Sequence, residues 1–341
     1  METVCYMGLD VHKKLVAYCG KRADGTVLAE GSVGATREQL RRWAEALGRR
    51  WIGGMEATMF TGWIYDTLKP YAQQLKVAHP QMLWAIVASK RKNDRVDARK
   101  IADALRCELL PECYMAPQEM RDLRRVLRFR NFVVRMATAL KNKTAGLLME
   151  CGVEFDKGRL HGKGYFEDLL GRLEETPASV VELLRFNRAM LEIFEKTQKR
   201  LLRELGHRPL LEERVRRLKT IGGVGDVVAL TWALEIVDPH RFGSIRNAVS
   251  YSGLCSAEIE SAGKRIRAPL SKQRNEHLQW VRIEAAKLAP LWNAQLGAVH
   301  QKELQRGNRN RATLAVARKM VAYLLAVDKS GKDFEPREVI L

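Results

Sequence analysis

Two carboxylates three residues apart, Asp94 and Asp97, stand at the head of a stretch whose apolar positions are Val96, Ile101, Ala104 and Leu105. A helix over this stretch sets both acids on one face. Lys90, Arg91, Lys92, Arg95, Arg99 and Lys100 surround them. Acidic oxygens in a basic field suit a hard cation such as Mg2+, while the bases neutralise a phosphate backbone. The same pattern also arises as a solvated helix start whose acids favour the N-terminal dipole. Asp10 and Glu56 bear on that choice, because each closes a strand-like run. Carboxylates converging from strand ends and a helix start would repel one another unless divalent cations neutralised them. Two such ions can clamp the attacking and leaving oxygens of a phosphodiester displacement.

The elements that must position these acids follow from hydrophobic period and turn residues. Thr3–Asp10, Leu15–Gly20 and Thr26–Val33 read as a three-stranded meander, with Ala23-Asp24-Gly25 as its clearest turn. Thr36 is expected to cap a helix running to about Leu47, with Leu40, Trp43 and Ala44 on one face. Trp51–Met55 is the next strand, a helix follows from about Phe60 to Leu68, and a strand falls near Leu75–Ala78. This order predicts an α/β sheet, and binding sites in such sheets gather at strand ends. Gln118 to about Met149 reads as one long basic helix, 152–177 as a looser connector, and Ala178–Leu205 as a second long helix near coiled-coil spacing. The pair is either an arm for dimerisation or a hairpin packed on its own domain.

From Pro209 a second compact region begins. Leu218 to Ala229, with Gly222, Gly223 and Gly225 between apolar residues, is expected to form a helix, a glycine turn and a helix. Glycines there would let backbone N–H groups at a helix start face a phosphate, so Gly223 and Gly225 are candidate nucleic-acid contacts. A structural turn alone would use the same glycines. Residues 253–274 read as a polar, basic loop or hairpin containing Lys264, Arg265, Arg267 and Lys272. Helices are expected at about Glu276–Leu288 and Ala312–Val327, with a loosely ordered tail from Lys329. The divisions are therefore 1–115, 116–208 and 209–341.

Composition narrows the partners. Of 341 residues, 59 are Lys or Arg and 40 are Asp or Glu, a net charge of +19 spread along the chain. A polyanion, DNA or RNA, is the leading partner, and no apolar run reaches the length of a bilayer span. The six cysteines are scattered with no C-x-x-C pair, which argues against zinc or disulfides and suits the cytoplasm.

Several motifs together resemble the DEDD transposases of bacterial insertion sequences, a group that includes the Piv/MooV invertases and the bridge-RNA-guided recombinases. They are Gly8-Leu9-Asp10-Val11-His12-Lys13, Met55-Glu56-Ala57-Thr58, Asn93-Asp94-Arg95-Val96-Asp97-Ala98-Arg99, Ile221 to Gly225, Asn247 to Leu254 and Ala315 to Lys319. The resemblance implies a RuvC-like (RNase H-type) N-terminal domain, a coiled-coil arm and a mainly α transposase domain with a helix-hairpin-helix-like motif. It implies that Asp10, Glu56, Asp94 and Asp97 bind Mg2+, and that Ser261 attacks DNA and holds it as a phosphoserine. Where the family reads Ser-Gly, this chain has Ser261-Ala262. Partners implied are donor and target DNA, a noncoding guide RNA and further copies of the chain as a homodimer or tetramer. From the residues alone Ser252, Ser256 and Ser271 rival Ser261, since a serine needs a nearby base or metal to attack. A structure-selective nuclease like a junction resolvase, with Ser261 a mere loop residue, and a non-catalytic nucleic-acid scaffold are the alternatives.

Overall fold

A computed structural model of the chain describes residues 4–48, 50–87, 93–261 and 263–336, and of 87, 257–259, 261 and 264–268 it describes the backbone alone. The contacts divide it into two compact units, 1–118 and 119–341.

The first unit holds β1 (Cys5–Val11), β2 (Leu15–Lys21), β3 (Val27–Gly34), α1 (Arg37–Ala46), β4 (Trp51–Glu56), α2 (Thr61–Leu68), β5 (Gln74–Ala78), α3 (Pro80–Val87) and α4 (Asp94–Arg106). The sheet runs β3-β2-β1-β4-β5. The meander is antiparallel, whereas β4 and β5 join parallel to β1. Thr36 caps α1 as its sequence predicts, accepting a hydrogen bond from the Gln39 backbone N–H.

Strand alternation gives the sheet two different faces. On one, Met7, Leu9 and Met55 pack with Leu40 of α1 and with Ile64 and Leu68 of α2. The other is paved with small residues: Ala17, Cys19 and Ala78 lie there with the α4 residues Ala98, Ile101 and Ala104. Small side chains on both surfaces bring α4 down close to the strands.

The second unit begins with α5 (Gln118–Glu150), one unbroken helix as the sequence predicts. The connector after it carries a helix of its own, α6 (Lys163–Leu170), because Phe166 and Leu169 are buried with Leu147, Leu148, Leu160 and Leu184. Then come α7 (Ala178–Gly206), α8 (Pro209–Lys219), α9 (Asp226–Ile236), α10 (Ile245–Tyr251), β6 (Ser256–Ser261), β7 (Lys264–Leu270), α11 (Glu276–Leu288), α12 (Ala294–Arg306) and α13 (Arg309–Ser330). The start of α5 (Leu123, Leu127) and the end of α7 (Leu205) share the main core with α8, α9, α11 and α13. The other ends, Leu147 and Leu148 against Leu184, share the smaller cluster, so the two long helices run antiparallel.

Helix α12 was absent from the expected elements. Only Leu296 is buried along it, so its apolar stripe is thin; Asn293 caps it and Arg311 of α13 holds its Glu303. The expectation of a loose tail is corrected for residues 329–336. Lys329 donates to the Phe242 carbonyl, Arg216 binds Asp333, and Phe334 lies 4.9 Å from the Tyr323 ring. Among the described residues no helix is long and apolar enough to cross a membrane.

Candidate functional site

Asp10 lies one residue beyond Leu9 on β1, and Glu56 one beyond Met55 on β4; Leu9 and Met55 are partners in the parallel register. Both acids therefore project from the carboxyl ends of neighbouring strands, on the small-residue face. Gly8, two residues before Asp10, explains how α4 reaches them. A Cβ at Gly8 would stand 2.1 Å from the Ala98 carbonyl oxygen and 2.4 Å from the Ala102 nitrogen. The helix backbone thus rests directly on the strand. Its first residue, Asp94, is placed by the Asn93 cap, whose side chain accepts from the Arg95 N–H.

The tight turn after β1 adds a third ligand. His12 N–H donates to the Leu15 carbonyl, which folds His12 back beside Asp10. Its Nε2 is 3.0 Å from Asp10 Oδ2 and 3.4 Å from Asp94 Oδ1. One donor atom from each of Asp10, His12 and Asp94 lies within 4.8 Å of the others. Burial pushes the Asp10 carboxyl above its ordinary range, His12 opposes this, and the charges of Asp94 and Asp97 raise it further. Crowded carboxylate oxygens with one imidazole make a donor set that fits a divalent cation. His12 is not among the candidates that the sequence singles out, because it stands past the end of β1, in a turn that only the fold brings back to Asp10.

Asp97 is near enough for its charge to act on Asp10, yet its oxygens are outside the compact donor group. Glu56 is half-buried and also outside that group. Its strand end is fixed by Thr61, whose hydroxyl donates to the Glu56 carbonyl at 2.8 Å, and by the Ala57 N–H on the Ala78 carbonyl. Of the cations expected to meet a phosphate, Arg95 and Arg99 both bind Glu30 of β3, Arg99 through two hydrogen bonds of 2.7 and 2.9 Å. Lys90, Arg91 and Lys92 lie outside the described residues.

The second unit carries the remaining candidates. Helices α8 and α9 are joined by the expected glycine turn; Gly223 has φ +88° and packs against Ala289, and Gly225 caps α9 with open space around it. Lys219 spans the turn to Asp226 at 2.6 Å, so a carboxylate already stands at the α9 start. Ser261 ends β6 and pairs in register with Lys264 of β7, with Arg265 opposite Glu260 and Arg267 opposite Glu258. Lys272 follows β7 and is exposed.

An α/β sheet whose strand ends and facing helix gather carboxylates and a histidine defines a protein with a candidate divalent-cation centre. Residues 7–152 match the family model DEDD_Tnp_IS110, described as a transposase, and residues 215–301 match that of the transposase IS116/IS110/IS902 family. The chain is 25% identical over 339 residues to the transposase for insertion sequence element IS1111A of Coxiella burnetii, covering 96% of this chain and 90% of the relative. It is 23% identical over 340 residues to the transposase for insertion sequence element IS1328 of Yersinia enterocolitica, covering 98% and 99%. The chain belongs to the DEDD transposases of bacterial insertion sequences. Membership implies a DNA-processing enzyme that uses a divalent metal.

Proposed function

We propose that the chain is a site-specific recombinase that moves an insertion sequence by cutting and rejoining DNA strands. The observation that carries this reading is the cluster of Asp10, His12 and Asp94 donor atoms on a basic chain. On this reading residues 1–115 are a RuvC-like, RNase H-type catalytic domain, 116–208 an arm and 209–341 the transposase domain. Asp10, His12 and Asp94 hold the metal, with Glu56 and Asp97 as further acids beside it. A bound Mg2+ supplies Lewis-acid polarisation of a phosphodiester oxygen.

Ser261 is the nucleophile. Its Oγ bonds to phosphorus as the bond from phosphorus to a deoxyribose oxygen breaks; the hydroxyl proton goes to solvent, and the leaving oxygen takes one up. Lys264, Arg265, Arg267 and Lys272 hold the phosphate, and the glycine turn at Gly223 and Gly225 grips the backbone further along. The surplus of positive charge accommodates both DNA strands and a noncoding guide RNA. The active form is a homodimer or tetramer.

The test is adduct trapping on DNA carrying the element's own ends. Wild-type protein should become covalently attached to nicked DNA, and Ser261→Ala should leave no adduct. Asp10→Asn should lower cleavage by about 100-fold or more, at least what loss of an outer metal partner produces. Cleavage by Ser261→Ala at the wild-type rate would transfer the assignment to a nuclease that uses water. Undiminished cleavage by Asp10→Asn would remove the metal centre from the reaction.

A further inference from the structure

Between α5 and the start of α11 lies a cavity of about 430 Å³, a volume suited to a small organic group. Asn131 and Arg135 of α5 line one side; Arg274, Glu276, His277 and Trp280 line the other, the Glu276 side chain being largely in solvent. Asn131 is 2% exposed, and its Nδ2 has no hydrogen-bond acceptor, while its Oδ1 accepts from Arg130. A buried amide N–H without an acceptor is costly and needs an explanation. A ligand that offers an acceptor to this wall supplies one.

The other lining groups indicate what that ligand is. Trp280 is 40% exposed, an aromatic face beside the polar wall. Among the described residues Arg135 makes no hydrogen bond or ion pair, and Arg274 uses one N–H on the Ser271 carbonyl. Burial, with the positive charge of Arg128, holds His277 below its usual pKa, which favours the neutral ring, able to accept as well as donate. An aromatic surface, a buried amide and two guanidinium groups match a base and its phosphate. The cavity walls are well supported: Gln279 donates to the Gly253 carbonyl at 2.6 Å, and the Arg274 side chain lies against Gly253, whose φ is +70°.

We propose that this cavity receives a single unpaired nucleotide of the DNA substrate, its base against Trp280 and Asn131 and its phosphate on Arg135 and Arg274. The choice of DNA rests on the reading above, since Arg274 closes the segment that leads from β7, the partner strand of the serine. The nucleotide is held out of the stack at the foot of the β6–β7 hairpin. Drawing a base from a duplex is least costly where it is already unpaired.

The experiment measures binding of the full-length protein in metal-free buffer, where no cleavage intervenes. The probes are labelled duplexes that are fully paired, carry one bulged 2-aminopurine, or carry an abasic residue at the bulge. Wild type should prefer the bulged base over the abasic bulge by about tenfold or more, the loss expected from one base–aromatic stack. It should also quench 2-aminopurine fluorescence. Trp280→Leu and Asn131→Leu should each abolish the preference and leave affinity for paired DNA unchanged. Asn131→Leu deletes an unsatisfied buried donor and, with it, the acceptor of Arg130, so thermal melting is measured beside binding, and unchanged affinity for paired DNA shows that its loss of preference is not unfolding. Equal affinity for all three duplexes overturns the proposal, as does an unaltered preference in Trp280→Leu. A stronger preference for the same bulge in an RNA duplex overturns the assignment to DNA. Ser261→Ala should keep the bulge preference, so failure of the serine reading and failure of this one are read separately.

Discussion

Replacing Gly8 by alanine tests whether the contact between β1 and α4 builds the acidic cluster. The added Cβ would fall 2.1 Å from the Ala98 carbonyl oxygen and 2.4 Å from the Ala102 nitrogen, two backbone atoms that a helix joins by its own hydrogen bond. Neither atom can rotate away. Ordinary contact needs 3.4 Å or more, so strand and helix must separate by about 1 Å. Asp94 rides on the helix, while Asp10 and His12 ride on the strand, and the 3.4 Å approach of His12 to Asp94 opens by a similar amount. Overpacking of this kind costs about 1–3 kcal/mol of stability. A misplacement near 1 Å in a reacting constellation costs about 100-fold in rate. Thermal melting, Mn2+ titration calorimetry and the DNA nicking rate would read the three consequences. Gly54→Ala is the control: its Cβ meets only side-chain ends, Leu110, Ile101 and Leu105, at 3.3 to 3.5 Å, and should cost less than about 1 kcal/mol. Wild-type metal affinity and nicking in Gly8→Ala would refute the idea that close packing of α4 sets the donor geometry.

Two predictions concern buried charge in the second unit. Glu235 is 1% exposed; burial pushes its carboxyl up, but the hydrogen bonds and charge of Arg128, then Arg124 and Asn275, outweigh this and hold the pKa below its ordinary 4.5. The unfolded chain then binds more protons, so stability present above pH 4.5 falls away as the pH drops through the lower folded value. Glu235→Gln should flatten acid unfolding in that window, whereas Arg128→Leu should cost about 3–5 kcal/mol at neutral pH by stranding the carboxylate. Unchanged acid unfolding in Glu235→Gln would assign the protons elsewhere. Arg282 is fully buried, none of its three guanidinium nitrogens has a hydrogen-bond partner, and burial pushes its pKa down to about 9. The Trp232 face at 5.0 Å compensates only in part. Arg282→Met should therefore raise the melting temperature, by the equivalent of about 1–4 kcal/mol; a lower one would contradict the absence of a partner.

Where signals are local, the chain's sequence and structure agree closely. Thr36 caps α1, α5 begins at Gln118, and α11 spans Glu276–Leu288, each marked by a capping residue or a regular apolar period. That Asp10 and Glu56 fall at the ends of neighbouring strands was legible, because strand-like runs stop close to them. His12 was not, since its role depends on a turn that folds it back by the Leu15 carbonyl. The engagement of Arg95 and Arg99 by Glu30 was equally hidden, because the partners are more than sixty residues apart and meet only when α4 crosses the meander. Helices α6 and α12 carry weak local signals: α6 has only eight residues and is held by Leu147, Leu148 and Leu184 of other helices, and α12 buries Leu296 alone.

Helix α5 has a mechanical consequence. At about 1.5 Å per residue, its 33 residues make a rod of about 50 Å. Leu123 and Leu127 clamp one end in the main core, and Leu147 and Leu148 clamp the other beneath α6. A tilt of about two degrees at one clamp swings the opposite end by nearly 2 Å. Asn131 and Arg135 sit a short way from the main clamp, close to the fulcrum. A displacement at the α6 end would thus arrive at their cavity much reduced, while a small shift at the cavity would be magnified at the tip.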